Sequence, residues 1–167
     1  MSILEGMVKK IDVYSIDEAF LDLQHVQNIN HAHEFGIYCR NTIRQWVGIP
    51  VRIGIAPTKT LTKVASHVAK NTSGGMGVCC LSNQKDIARI LKTLPIKEIW
   101  GIGYNLSRQL NQLGIYSAYE LMQMDIRLIR KKFSVVLERT VRELRGESCI
   151  QIEDHCCLLY TSPSPRD

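Results

Sequence analysis

Tyr14-Ser15-Ile16-Asp17-Glu18-Ala19-Phe20-Leu21-Asp22 sets two adjacent carboxylates between two β-rich stretches. Lys10 to Tyr14 alternates in character, and Ala19 to Leu23 reads as a second short strand, so Ser15–Glu18 forms a hairpin or a tight strand junction. Ile16 and Ala19-Phe20 flank the acids, which predicts a half-buried acidic pair. Such a pair needs a compensating charge. A hard divalent cation supplies it through oxygen ligands. At a turn the two-residue alternation of a strand lapses, so both side chains can address one ion. A plain surface turn could carry the same two residues, so the pair does not decide the chemistry alone.

Working outward, His31 to Val47 carries Phe35, Tyr38, Ile43 and Trp46 at a loose helical period, and Gly48-Ile49-Pro50 ends it. Val51 to Ala56 is a β-branched strand with Gly54 inside. Thr58 is placed to cap a helix. Leu61, Val64, Ala65, Val68 and Ala69 give that helix an apolar stripe. Lys59, Lys63 and Lys70 fall together on one other face, which a merely solvated helix would also show. Asn71 and Gly74-Gly75 stop the helix, and Met76 to Leu81 is another strand. From Ser82 onward the pattern is helical. The expected class is α+β: residues 1–81 form a mixed or antiparallel sheet with helices, and residues 82–155 form a small all-α domain.

Ile99-Trp100-Gly101-Ile102-Gly103 precedes an expected helix from Asn105 to Leu113, which stops at Gly114-Ile115. This is the layout of a helix-hairpin-helix. Glycines let a backbone come close, and the free N–H groups at the next helix start can bind a DNA phosphate without regard to sequence. A simple αα-hairpin turned by its glycines is the other reading. Downstream, Arg127, Arg130, Lys131, Lys132, Arg139, Arg142 and Arg145 interleave with Leu128, Ile129, Phe133, Val136, Leu137, Val141 and Leu144. The apolar set packs the helices and the basic set faces out.

Composition sets the bounds. The 167 residues are 45% hydrophobic and 22% charged, with a formal net charge of +5. That suits a polyanionic partner without demanding one. No apolar run approaches the roughly 20 residues of a membrane span, and Met1–Lys10 lacks a signal-peptide layout, so a cytoplasmic location is expected. The six cysteines include the vicinal pairs Cys79-Cys80 and Cys156-Cys157 but no Cys-x-x-Cys knuckle, and they read as reduced thiols. His31 with His33, and His155 with Cys156, lack a second half for a metal site.

Three of these stretches carry a resemblance. Tyr14–Asp22 closely resembles the palm motif of Y-family DNA polymerases. Gly54–Lys70 looks like the palm helix of the same family. Phe133-Ser134-Val135-Val136-Leu137-Glu138-Arg139-Thr140-Val141-Arg142-Glu143-Leu144-Arg145-Gly146 is very similar to the thumb of its UmuC-like branch. The resemblance runs from about Lys9 to His155. It implies error-prone, template-directed DNA synthesis across lesions in the bacterial SOS response, by two-metal nucleotidyl transfer. Asp17 would bridge two Mg2+ ions, and Glu18 would hold the one that activates the primer 3′-hydroxyl. Lys70 would contact the triphosphate of an incoming deoxynucleoside triphosphate. Lys59 and Lys63 would lie near the template or its phosphate backbone, and Gly101 and Gly103 would line the DNA-binding turn of the thumb. The implied partners are primer-template DNA, a UmuD-type dimer, a recombinase filament and the sliding clamp, with no membrane.

A full member would add a strand with another catalytic Asp, finger segments and a little-finger domain. The chain therefore reads as a piece with a partial palm (1–81) and a thumb (82–155), expected to be inactive as a polymerase by itself. The alternatives are a DNA-binding helix-hairpin-helix module or a gene fragment, neither with catalysis. Residues 156–167 fit neither domain. Cys157–Asp167 resembles the translation of a sequencing adapter, and its two Ser-Pro units disfavour regular structure.

Overall fold

The computed structural model describes residues 2–23, 29–71 and 77–150. The suspected adapter tail, the Gly74-Gly75 helix stop and His155 with Cys156 lie outside them. Two compact units divide at Leu23.

The first unit holds a short helix α1, Ser2–Glu5, and two strands, β1, Ile11–Val13, and β2, Ala19–Leu21. The strands pair antiparallel, with Val13 opposite Ala19 and Ile11 opposite Leu21. Asp12 and Phe20 face each other across the pair, and both are buried. The Tyr14 ring meets Phe20 edge-on at 6.2 Å. The expected hairpin is therefore present, with strands shorter than the sequence pattern suggests.

The second unit begins with α2, Ile29–Val47, followed by β3, Ile53–Ile55, α3, Lys59–Asn71, and β4, Val78–Cys80. β3 and β4 pair in parallel, with Ile53 opposite Val78, and α3 is their crossover. Two glycines set this packing. A Cβ on Gly54 would overlap the Thr62 carbonyl and the Ser66 amide, so β3 lies directly on the α3 backbone. A Cβ on Gly36 would meet Val78 and Ile55, which lets α2 cover the other side of the strands.

Five helices follow β4: α4, Gln84–Thr93; α5, Tyr104–Gln112; α6, Ala118–Gln123; α7, Ile126–Lys132; and α8, Val135–Leu144. A 3-10 turn at Ile96–Glu98 stands between α4 and α5. Local side chains start four of these segments. Asn83 accepts from the Lys85 N–H, Asp125 from Arg127 and Ser134 from Leu137, while Ser117 and Glu120 form a reciprocal capping box.

Strands end and helices take over close to Leu81, as the sequence pattern implies, but the core does not stop there. Leu61, Val64 and Ala65 of α3 join Leu81, Leu91, Leu110, Leu121, Ile129 and Leu144 in one buried cluster. Helix α3 and the helices after β4 thus share one hydrophobic interior.

Candidate functional site

The loop between β1 and β2 is closed by its own backbone. The N–H groups of Tyr14 and Ser15 both donate to the Glu18 carbonyl, each at 3.0 Å. The Ser15 hydroxyl donates to Asp17 Oδ1 at 2.6 Å. This closure lifts residues 15–18 off the strands and corrects one expectation. Asp17 and Glu18 are exposed rather than half-buried, and Ile16 is 100% exposed. The pair therefore stands side by side on a tight, exposed loop. Hard oxygen donors of this kind suit Mg2+, which is often held by one or two carboxylates with waters and substrate phosphates completing its shell. Among the described residues no cluster of three or more His, Cys, Asp or Glu side chains is placed to hold a metal. The donor set is thus two carboxylates, correct in chemistry for a hard cation that brings its other ligands with it.

On α3 the Thr58 hydroxyl accepts from the Leu61 N–H at 3.3 Å, the expected cap. The three lysines share a helix face but not an environment. Lys59 is only 9% exposed, Lys63 is half-buried and Lys70 is exposed. The gradient arises because α8 packs on the N-terminal end of α3: the Thr58 hydroxyl donates to the Glu143 carbonyl at 2.9 Å, and the Thr60 N–H donates to Glu143 Oε2 at 2.9 Å. Lys70, at the far end, is the best placed of the three to meet an external anion. Lys59 has the least surface to offer one.

Before α5, Gly101 sits at φ +82, a left-handed turn that favours glycine. Gly103 differs. It is the N-cap of α5 at φ −79, has no side-chain cap bond, and a Cβ there would meet nothing within 4 Å. Neither conformation nor internal packing requires glycine at Gly103. The Ser107 N–H closes the first turn on the Gly103 carbonyl at 2.9 Å. The N–H groups of Tyr104, Asn105 and Leu106 then project from an open helix start without partners among the described residues.

The basic residues of α7 and α8 divide in two. Arg127, Lys131, Lys132 and Arg139 are exposed. Arg145 instead donates to the carbonyls of Met122, at 2.8 Å, and Met124, at 2.6 Å, closing the C-terminal end of α6. Arg142 binds Glu138 through Nε and Nη2, and Glu147 through Nη1 at 3.0 Å. Arg130 reaches the same buried Glu138 at 3.4 Å. The expectation that all seven cations face out is corrected for Arg142 and Arg145, which hold the helices of this region together. Sequence reasoning missed Glu138, although its i,i+4 spacing from Arg142 marks the pair, and missed Glu143, whose partner Thr60 lies 83 residues away.

Burial pushes the Cys39 thiol up to about 11, and Cys39, Cys79, Cys80 and Cys149 form no disulfide among the described residues. The backbone N–H groups of Tyr116 and Ser117 hold the Glu120 carboxyl below its ordinary range. No helix among the described residues is long and apolar enough to cross a membrane.

The impB/mucB/samB family model matches residues 1–67, and that family's HHH motif matches residues 85–115. Protein UmuC of Salmonella typhimurium is 46% identical over 155 residues, covering 92% of this chain and 37% of that protein. Protein MucB of Escherichia coli is 38% identical over 154 residues, with the same shares. DNA polymerase IV of Moorella thermoacetica is 30% identical over 157 residues, covering 93% of this chain and 38% of its own length. Among solved structures, the insertion ternary complex of Dbh DNA polymerase superposes with a TM-score of 0.74 at 27% identity, covering 92% of this chain and 44% of that one. DinB from Sulfolobus solfataricus superposes with a TM-score of 0.72, also at 27% identity, over 92% and 45% of the two chains. The chain spans a little over a third of the length of the curated relatives it matches.

Proposed function

Because this chain belongs to the impB/mucB/samB family and matches that family's HHH motif, we propose that it is the palm-and-thumb portion of an error-prone Y-family DNA polymerase. The reaction is template-directed nucleotidyl transfer across damaged DNA in the bacterial cytoplasm. The observation that carries the reading is the Asp17-Glu18 pair at the tip of a backbone-closed hairpin. Two-metal transfer requires such an acidic pair, whereas a protein that only grips DNA does not.

Asp17 and Glu18 hold divalent cations. When bound, Mg2+ lowers the pKa of an attacking hydroxyl and neutralises charge on the transferring phosphoryl group. The chain's own residues position the substrates. Lys70 offers an exposed ammonium to the triphosphate of a deoxynucleoside triphosphate. The open start of α5 offers backbone N–H groups to a phosphate of the primer-template duplex, and Gly103 leaves the approach clear. Arg127, Lys131, Lys132 and Arg139 add charge that tracks the backbone rather than the bases. The further partners are those of the UmuC-like branch: a UmuD-type dimer, a recombinase filament and the sliding clamp.

The metal role is tested with Mn2+ as probe. Calorimetric or electron-paramagnetic titration of the chain should show weak binding, at least about tenfold weaker in Asp17→Asn and in Glu18→Gln. Equal binding in all three proteins contradicts the assignment.

A further inference from the structure

Glu143 is wholly buried in α8, yet no side-chain cation pairs with it among the described residues. A buried carboxylate is tolerated only where hydrogen bonds replace its water. Here three backbone N–H groups do so. Thr60 donates to Oε2 at 2.9 Å, while Cys149 and Ile150 donate to Oε1 at 2.9 and 3.0 Å. The Thr60 N–H belongs to the first turn of α3, where the helix dipole also favours an anion. The chain's own cap adds a relay to the same residue: Leu61 N–H donates to the Thr58 hydroxyl, which donates to the Glu143 carbonyl. One residue of the thumb thus receives the start of the lysine helix, 83 positions upstream of it, and the segment that leaves α8.

We propose that Glu143 is a positioning residue: its carboxylate fastens the first turn of α3 and the 149–150 segment to one point, so that the helix carrying Lys70 is ordered by whatever the thumb grips. The inference rests on the DNA-binding reading of the thumb. It assigns Glu143 no contact with substrate. Its action is to make the start of α3 and the end of α8 open together rather than separately.

Glutamine cannot replace it. Both carboxylate oxygens accept, whereas an amide has one acceptor and one donor. In either orientation the NH2 group of a glutamine side chain at this position would face a backbone N–H, of Thr60 on one side or of Cys149 and Ile150 on the other.

The test is amide hydrogen exchange on the whole chain, free and with a duplex oligonucleotide at about 100 times its Kd. A ligand at that excess slows exchange through a linked opening about 100-fold. In wild type, Thr60, Cys149 and Ile150 should slow together and by that order. In Glu143→Gln the amides of α5 should still slow, while Thr60 or the 149–150 pair falls out of step and responds less than about threefold. A merely structural role would lower thermal stability and leave the joint response intact. The inference is overturned if the variant responds as wild type does, or if wild-type Thr60 ignores DNA while α5 responds; in both cases the DNA-binding reading survives. If the duplex slows no amide anywhere, that reading falls and this inference with it. Should Glu143→Gln fail to fold, the wild-type arm decides alone, because separate responses of Thr60 and Cys149 would refute the shared joint.

Discussion

Replacing Arg145 with alanine separates the two kinds of cation on α7 and α8. Its guanidinium donates to the Met122 carbonyl at 2.8 Å and to the Met124 carbonyl at 2.6 Å, both at the C-terminal end of α6. Hydrogen bonds from a charged donor contribute roughly 1.5–3 kcal/mol each. Arg145 is half-exposed, and water can re-solvate part of what it leaves, so the two bonds together should be worth about 2 kcal/mol rather than their sum. With a urea m-value of about 2 kcal/mol/M for a chain of this size, the unfolding midpoint should fall by about 1 M, with m unchanged. Arg139, exposed on α8, is the control. Arg139→Ala should change stability by less than about 0.5 kcal/mol, yet reduce the salt slope of duplex binding by about 0.9. Arg145→Ala, assayed where it is folded, should keep the wild-type slope. If Arg145→Ala leaves the urea midpoint unmoved, or lowers the DNA slope as Arg139→Ala does, the division of the basic residues is wrong.

The remaining predictions concern single groups. Gly103→Ala should leave the melting temperature unchanged, since nothing lies within 4 Å of the added carbon, but should weaken duplex binding, whereas Gly101→Ala should cost about 1 kcal/mol of stability from its φ of +82. Unchanged duplex affinity in a folded Gly103→Ala would remove the close-approach role. Thr60→Val should raise stability by about 1 kcal/mol in thermal melts, because the buried Thr60 hydroxyl has no hydrogen-bond partner among the described residues; a clear loss would show that the hydroxyl is satisfied in solution. Glu120, whose carboxyl is held low by the Tyr116 and Ser117 amides, contributes stability that is present at neutral pH and is lost as pH falls through its folded-state pKa. Glu120→Gln should therefore flatten the acid limb of the stability curve, and an unaltered limb would contradict the capping-box account.

The features legible in the sequence are those set by near neighbours. Helix α3 announces itself through the Thr58 cap and the stripe Leu61-Val64-Ala65, and the Gly101-Ile102-Gly103 turn through its glycines. The hairpin follows from two β-rich runs around four turn positions. What cannot be read depends on distant chain. The face arithmetic puts Lys59, Lys63 and Lys70 together correctly, but their exposure is set by α8 packing over the first turn of α3, which no pattern in residues 58–70 encodes. Apolar neighbours predict a half-buried acidic pair; the loop closes on the Glu18 carbonyl instead and turns Ile16 outward. Arg145 looks like any exposed cation in sequence, and only the carbonyls of Met122 and Met124 give it a structural task. The core's continuity through Leu81 is hidden for the same reason. A change of pattern from strand to helix marks where elements change type, not where packing ends.

The central claim is that Asp17 and Glu18 serve nucleotidyl transfer. It is tested most directly by grafting residues 1–150 in place of the corresponding stretch of the Salmonella typhimurium UmuC protein, to which this chain aligns over 155 residues. Primer extension by the purified chimera is then measured with Mg2+ and all four nucleotides. The chimera should extend the primer, and Asp17→Asn should reduce the rate by about a thousandfold or more, the equivalent of several kcal/mol of metal-borne charge stabilisation. Extension that proceeds equally well with Asp17→Asn would contradict the account.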